Sequence, residues 1–96
     1  MRKNCKVINT SHAPEAIGTY SQGIHLGNII YFSGQIGLNP SSMELETTFE
    51  DQLAQTLLNI KGLLESEGLN TNHIIKTTIF YLGFWRVCLL GLLLRV

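Results

Sequence analysis

Ninety-six residues allow one domain with an adequate but not generous core, and seven basic side chains balance seven acidic ones. With no net charge there is no long-range field to gather nucleic acid or an anionic membrane, so polyanion binding is disfavoured as a main role. Charge clusters only locally, with Arg2, Lys3 and Lys6 at one end and Glu44, Glu46, Glu50 and Asp51 further on, and both groups read as solvated surface.

Two cysteines, Cys5 and Cys88, stand far apart with no CxxC and no His-x-x-x-His beside them. That spacing argues against a zinc site and offers no disulfide framework, so both are expected to be free thiols in a reducing compartment. The basic N-terminus has no apolar run behind it and does not read as a secretory signal, which leaves the cytoplasm as the expected location.

Lys6–Asn9 predicts a short strand, and Ser11–Gly18 a loop in which Pro14 removes a backbone donor. Gly27-Asn28 separates two apolar runs in the manner of a primed hairpin turn, so Tyr20–Leu26 and Ile29–Gln35 are expected to pair antiparallel. The second strand runs into Ser33-Gly34-Gln35, where a hydroxyl is followed by a residue without a Cβ. A strand ending this way can bring its backbone close to a small polar ligand. Asn39-Pro40-Ser41-Ser42 is a turn, and either Thr47 or Thr48 can cap the helix that follows. In that helix Phe49, Leu53, Leu57, Ile60 and Leu64 predict a buried stripe, and Gly68 is placed to end it. Ile74–Tyr81 is β-branched and aromatic almost throughout and predicts a strand buried on both faces or nearly so.

Strand, hairpin, crossover helix and strand predict an α+β fold, with a helix covering one face of an antiparallel or mixed sheet. The reading divides the chain into a domain over 1–81 and an atypical apolar tail over 82–96. Between Arg86 and Arg95 the tail is too short to span a bilayer and has no charged face for an interfacial anchor. It reads either as a segment packed against the sheet or as an exposed patch.

Ala13-Pro14-Glu15-Ala16-Ile17-Gly18-Thr19-Tyr20-Ser21-Gln22-Gly23 resembles the N-terminal signature of the YjgF-type Rid family of reactive-intermediate (imine) deaminases, also labelled endoribonuclease L-PSP-like. Phe32–Pro40 resembles the second block of that family, and Asn59 with Ile75–Phe80 the third. Thr19 stands where the family usually has proline. The family's later blocks, a second helix, a Pro-Ala-Arg-Ser-type strand and a final Val-Glu-Ile-Glu-type strand, are not found after Tyr81. A truncation or shifted reading frame is the expected reason.

The resemblance implies a fold of the Rid or chorismate-mutase-like kind and hydrolysis of 2-imino acids to 2-keto acids and ammonia. It implies no cofactor and no metal. It further implies a homotrimer with sites in clefts between subunits. The family arginine and glutamate belong to the missing blocks, so the catalytic residues stay unassigned and impaired activity is expected. Substrate contacts carry over to Tyr20 at the pocket wall, Ser33 as a polar contact and Gly34 as a point of close backbone approach. Against these stand plainer readings: Tyr20 as an interface aromatic and Ser33 as a strand-end hydroxyl. Arg86 is a weak substitute for the missing arginine, because an arginine in an apolar run more often turns to water. Lys76 reads as a solvent or interface residue, and His12, His25 and His73 are given no role. The alternatives to an enzyme are a non-catalytic interaction or regulatory subunit and a product without function. RNA cleavage, suggested by the family's other label, is disfavoured by the neutral charge.

Overall fold

The computed structural model describes residues 5–82 and 86–95, with side chains for residues 5–79. Arg2, Lys3 and the side chains of Arg86 and Cys88, all weighed above, lie outside the described residues. The elements run β1 (Cys5–Ile8), β2 (Gly23–Leu26), β3 (Ile29–Phe32), β4 (Gln35–Ile36), α1 (Phe49–Ser66), a 3-10 turn (Thr71–His73), β5 (Ile74–Leu82) and β6 (Arg86–Arg95). Every described strand pair is antiparallel. One helix lies on one face of one sheet, and the α+β class read from the sequence holds.

The β2–β3 hairpin closes through Gly27-Asn28 with Leu26 opposite Ile29. Gly27 takes φ +60°, which fits the first central position of a type II′ turn. Alternation then sorts β3, with Ile30 and Phe32 buried towards the helix and Tyr31 exposed on the opposite face. Thr48, rather than Thr47, caps α1: its Oγ1 accepts from the Asp51 N–H at 3.1 Å. At the other end Gly68 is left-handed at φ +68°. Its N–H donates to Glu65 O (3.0 Å) and the Leu69 N–H to Leu64 O (2.9 Å), the two bonds of a Schellman cap. This turn puts Leu69 back onto Leu64 in the core, which Ile8, Ala13, Ile30, Phe32, Ile60 and Leu63 complete.

The buried face of α1 differs from the predicted stripe. Gln52, Thr56, Asn59, Ile60, Leu63 and Leu64 face inward, while Leu53 and Leu57 are exposed. The cause is a backbone that needs donors. Segment 36–46 presents carbonyls to the helix, and Gln52 Nε2 donates to Glu46 O at 3.0 Å while Asn59 Nδ2 donates to both Ile36 O and Leu38 O. Buried carbonyls must be paired, so amides outrank leucines on that face.

The largest difference lies at the C-terminal end. The apolar segment that the sequence set apart supplies β6, which pairs β3 and β4 along one edge and β5 along the other. It is thus within the sheet rather than packed against it. Its near-continuous apolar run suits a strand flanked on both edges. A run rich in leucine, with Val87 its one β-branched residue, gives no periodicity that separates strand from helix. The expectation that β5 is buried on both faces is corrected: Ile75 is 53% exposed and Ile79 60%. Among the described residues β5 pairs only with β6, and only Ile74, at its start, packs against the core.

Candidate functional site

The site grows from an interruption in a ladder. Along β6, Phe32 pairs with Leu92 and Gln35 with Leu89, so β3 and β4 keep one register across the gap between them. Ser33 and Gly34 step out of that ladder without shifting it. Ser33 turns instead to the β2 side, its N–H donating to Gln22 O at 2.9 Å and its Oγ to the same oxygen at 3.0 Å. On the far side of β6 the pairing also skips a residue: Thr77 pairs with Leu92 and Thr78 with Leu90, leaving Gly91 as a bulge. Bulges and gaps of this kind open a sheet and re-aim what lies next to them.

Facing the gap is the loop before β2, held by one side chain. Gln22 is 2% exposed. Its Oε1 accepts from the Thr10 N–H at 2.6 Å, and its Nε2 donates to Thr10 O (2.9 Å), Ala13 O (3.2 Å) and Pro14 O (2.8 Å). A loop whose backbone groups are satisfied from within can hold a fixed shape over Pro14 to Tyr20. The opposite wall, Ile36 to Leu38, is fixed by Asn59, whose Nδ2 reaches Ile36 O at 3.1 Å and Leu38 O at 2.9 Å. Between these walls lies a cleft of about 150 Å³. Pro14, Glu15, Ile17 and Tyr20 line one side and Ser33, Gly34, Gln35, Ile36 and Leu38 the other, with Gln22 at its base.

Tyr20, Ser33 and Gly34, the three contacts proposed from the sequence, therefore meet in one cleft. The structure adds Gln22 and Asn59 as the residues that hold its walls, and Glu15 as a carboxylate at its mouth. In the sequence Gln22 and Asn59 fall within the family-like blocks but carry no assigned role. Their signal was an amide flanked by loop or strand carbonyls, and it becomes legible only once the partners are known.

At liquid density one water occupies roughly 30 Å³, so the cleft suits a ligand of a few heavy atoms. Because the Ser33 hydroxyl proton is directed to Gln22 O, the lone pairs of that oxygen are its free capacity, suited to accept from an N–H. Among the described lining residues Glu15 is the one ionisable carboxylate, and none is basic. No group of three His, Cys, Asp or Glu side chains among the described residues is arranged to hold a metal ion. No described helix is long and apolar enough to cross a membrane.

A family model described as Endoribonuclease L-PSP matches residues 10–84, which include every residue of the cleft. The chain belongs to this family. Over 75 residues it is 47% identical to the 2-iminobutanoate/2-iminopropanoate deaminase of Escherichia coli strain K12, covering 78% of this chain and 59% of that protein. A RutC family protein of Haemophilus influenzae is 43% identical over the same length, covering 58% of that protein. The chain thus spans about three fifths of the length of the curated relatives it matches. In fold it resembles RidA from an Antarctic Psychrobacter, with a TM-score of 0.83 at 27% identity over 95% of this chain and 99% of that one. Escherichia coli TdcF, solved with bound serine, gives 0.85 at 24% identity over 95% and 98%, a likeness of fold. Coverage of 95% leaves about five residues outside the likeness, so it reaches into β6, beyond the stretch where the sequences match.

Proposed function

We propose that this chain carries an imine-hydrolysing site, acting on small 2-imino acids such as 2-iminobutanoate and releasing the 2-keto acid and ammonia. The observation that carries the reading is the convergence of Tyr20, Ser33 and Gly34 on one small cleft within the segment most similar to a 2-iminobutanoate/2-iminopropanoate deaminase. The reaction needs little from a protein. A protonated imine is already electrophilic, so the site has to orient it, admit one water and exclude the rest. Water adds to the C=N carbon and loses a proton. The resulting carbinolamine then expels its nitrogen as ammonia and leaves the carbonyl.

In this scheme Gly34 lets the substrate lie against the backbone, and Tyr20 forms the wall. Ser33 Oγ accepts the iminium N–H through its free lone pairs, while Glu15 favours the cationic nitrogen and the incoming water. The substrate carboxylate has no basic partner among the described lining residues, so its recognition is left to backbone N–H groups or a neighbouring subunit. We accordingly propose turnover well below that of the longer deaminases, in a homotrimer within the cytoplasm. The sheet face opposite α1 offers a surface for assembly, since Val7 and Tyr31 are exposed in the row Val7–Ile24–Tyr31 across β1, β2 and β3.

Ammonia release from freshly generated 2-iminobutanoate tests the reading. We expect a rate above the spontaneous one, reduced about tenfold in kcat/KM by Ser33→Ala, the loss of one well-placed hydrogen bond of about 1.4 kcal/mol. Release no faster than in buffer, or an unaltered rate in both Ser33→Ala and Tyr20→Phe, would remove the cleft from the chemistry.

A further inference from the structure

Among the described residues the buried polar side chains are Gln22, Gln35, Gln52, Thr56 and Asn59. All but one have a task inside the protein. Gln22 holds the loop before β2, Gln52 donates to Glu46 O, Thr56 Oγ1 donates to Gln52 O at 2.8 Å, and Asn59 holds Ile36 O and Leu38 O. Gln35 is the exception. It is only 6% exposed, yet its side-chain amide makes no hydrogen bond to another described residue. A buried amide left unpaired costs free energy until a ligand or a water supplies its bonds. Nor is this amide sealed in, since among the described residues Gln52 Oε1 is the side-chain atom cut off from solvent without a partner. Gln35 lines the small cleft beside Gly34 and two residues from Ser33, so its amide opens there.

What the cleft offers a ligand is acceptors. Ser33 Oγ has free lone pairs, Glu15 carries a carboxylate, and no described lining residue is basic. Gln35 Oε1 adds a neutral acceptor on the same wall as Ser33. An iminium nitrogen bears donors only, so of the two polar atoms of the amide it is Oε1 that can meet it. A primary iminium has two N–H bonds to place, whereas an N-alkyl iminium has one.

We propose, on the imine-hydrolysing reading above, that Gln35 sets the substrate class of the cleft: Ser33 Oγ takes one N–H of a primary iminium and Gln35 Oε1 the other. The pair selects imines derived from ammonia over N-substituted ones. Hydrogen bonds from a cation are stronger than neutral ones, and an N-methyl imine both forfeits one and strands a buried acceptor. A site built to bond an N–H rejects the analogue that lacks it.

D-Amino-acid oxidase, with catalase to remove the peroxide, generates 2-iminopropanoate from D-alanine and its N-methyl counterpart from N-methyl-D-alanine. Water converts the first to pyruvate and ammonia and the second to pyruvate and methylamine, so lactate dehydrogenase reads both through one product. The full 96-residue chain is expected to accelerate pyruvate formation from the primary imine about tenfold or more over that from the N-methyl imine. Gln35→Leu is expected to remove this preference by slowing the primary imine alone. Gln35→Glu keeps an oxygen acceptor at the same place and is expected to retain it. Equal acceleration of the two imines by the unaltered chain overturns the proposal, whether or not the leucine variant folds. An undiminished preference in Gln35→Leu, shown by far-UV circular dichroism to be folded, also overturns it, because the bulk of the methyl group is then the cause. Loss of the preference in Gln35→Glu does the same. Acceleration of neither imine removes the imine-hydrolysing reading itself, and the role of Gln35 with it.

Discussion

Asn59 shows how one side chain can serve fold and site together. It is 1% exposed and makes three hydrogen bonds, donating to Ile36 O and Leu38 O and accepting from Gln55 Nε2 at 2.9 Å. Leucine would fill a similar volume but leave Leu38 O without its donor and Ile36 O with the Leu38 N–H alone, and an unpaired buried carbonyl costs about 1–3 kcal/mol. Asn59→Leu is therefore expected to destabilise the protein by roughly 1–3 kcal/mol, read as a lower urea midpoint with an unaltered m value. Because those carbonyls form one wall of the small cleft, imine hydrolysis should fall with it. The family resemblance marked this position, whereas helical periodicity alone assigned it to the outward-facing remainder. Ser33 was legible for the opposite reason: its neighbours in sequence, a strand before and a glycine after, already said what it could do.

At the scale of the element, α1 is set by its contacts more than by its own amphipathicity. Gly62 lies against the loop that opens the cleft, where an added Cβ would meet His12 O at 2.3 Å and His12 C at 2.9 Å. Alanine would gain up to about 1 kcal/mol of helix propensity. The obstruction is backbone and cannot rotate away, and overpacking of this kind costs about 1–3 kcal/mol. Gly62→Ala is thus expected to destabilise on balance, lowering the melting temperature by several degrees, since about 1 kcal/mol corresponds to roughly 4–8 °C in a domain of this size. A raised melting temperature would show that the loop and helix separate more readily than the packing indicates. The cap at Thr48 was one of two adjacent candidates, and only the entry angle of the chain could choose between them.

The whole molecule is organised by β6. Remove it, and β5 loses its only strand partner among the described residues while β3 and β4 lose theirs along one edge. What would be left is a three-stranded meander, a helix and two detached strands, β4 and β5, with apolar surface uncovered. A chain ending at Leu82 is therefore expected to lose cooperative thermal unfolding, monitored by circular dichroism at 222 nm. Cooperative melting at the temperature of the full chain would mean that the core of α1 and the meander suffices.

Family resemblance named the three residues that line the small cleft, and sequence by itself determined the class, the hairpin and the helix. Each of these rests on local chemistry: a glycine able to take a positive φ, a hydroxyl able to cap, alternating burial along a strand. Tertiary structure alone decided which face of α1 is buried, that Gln22 anchors the loop before β2, and that the leucine-rich C-terminal run is a paired strand within the sheet. Those outcomes depend on which distant carbonyls require donors and which strand edges require partners, and such demands arise only when the chain has come together.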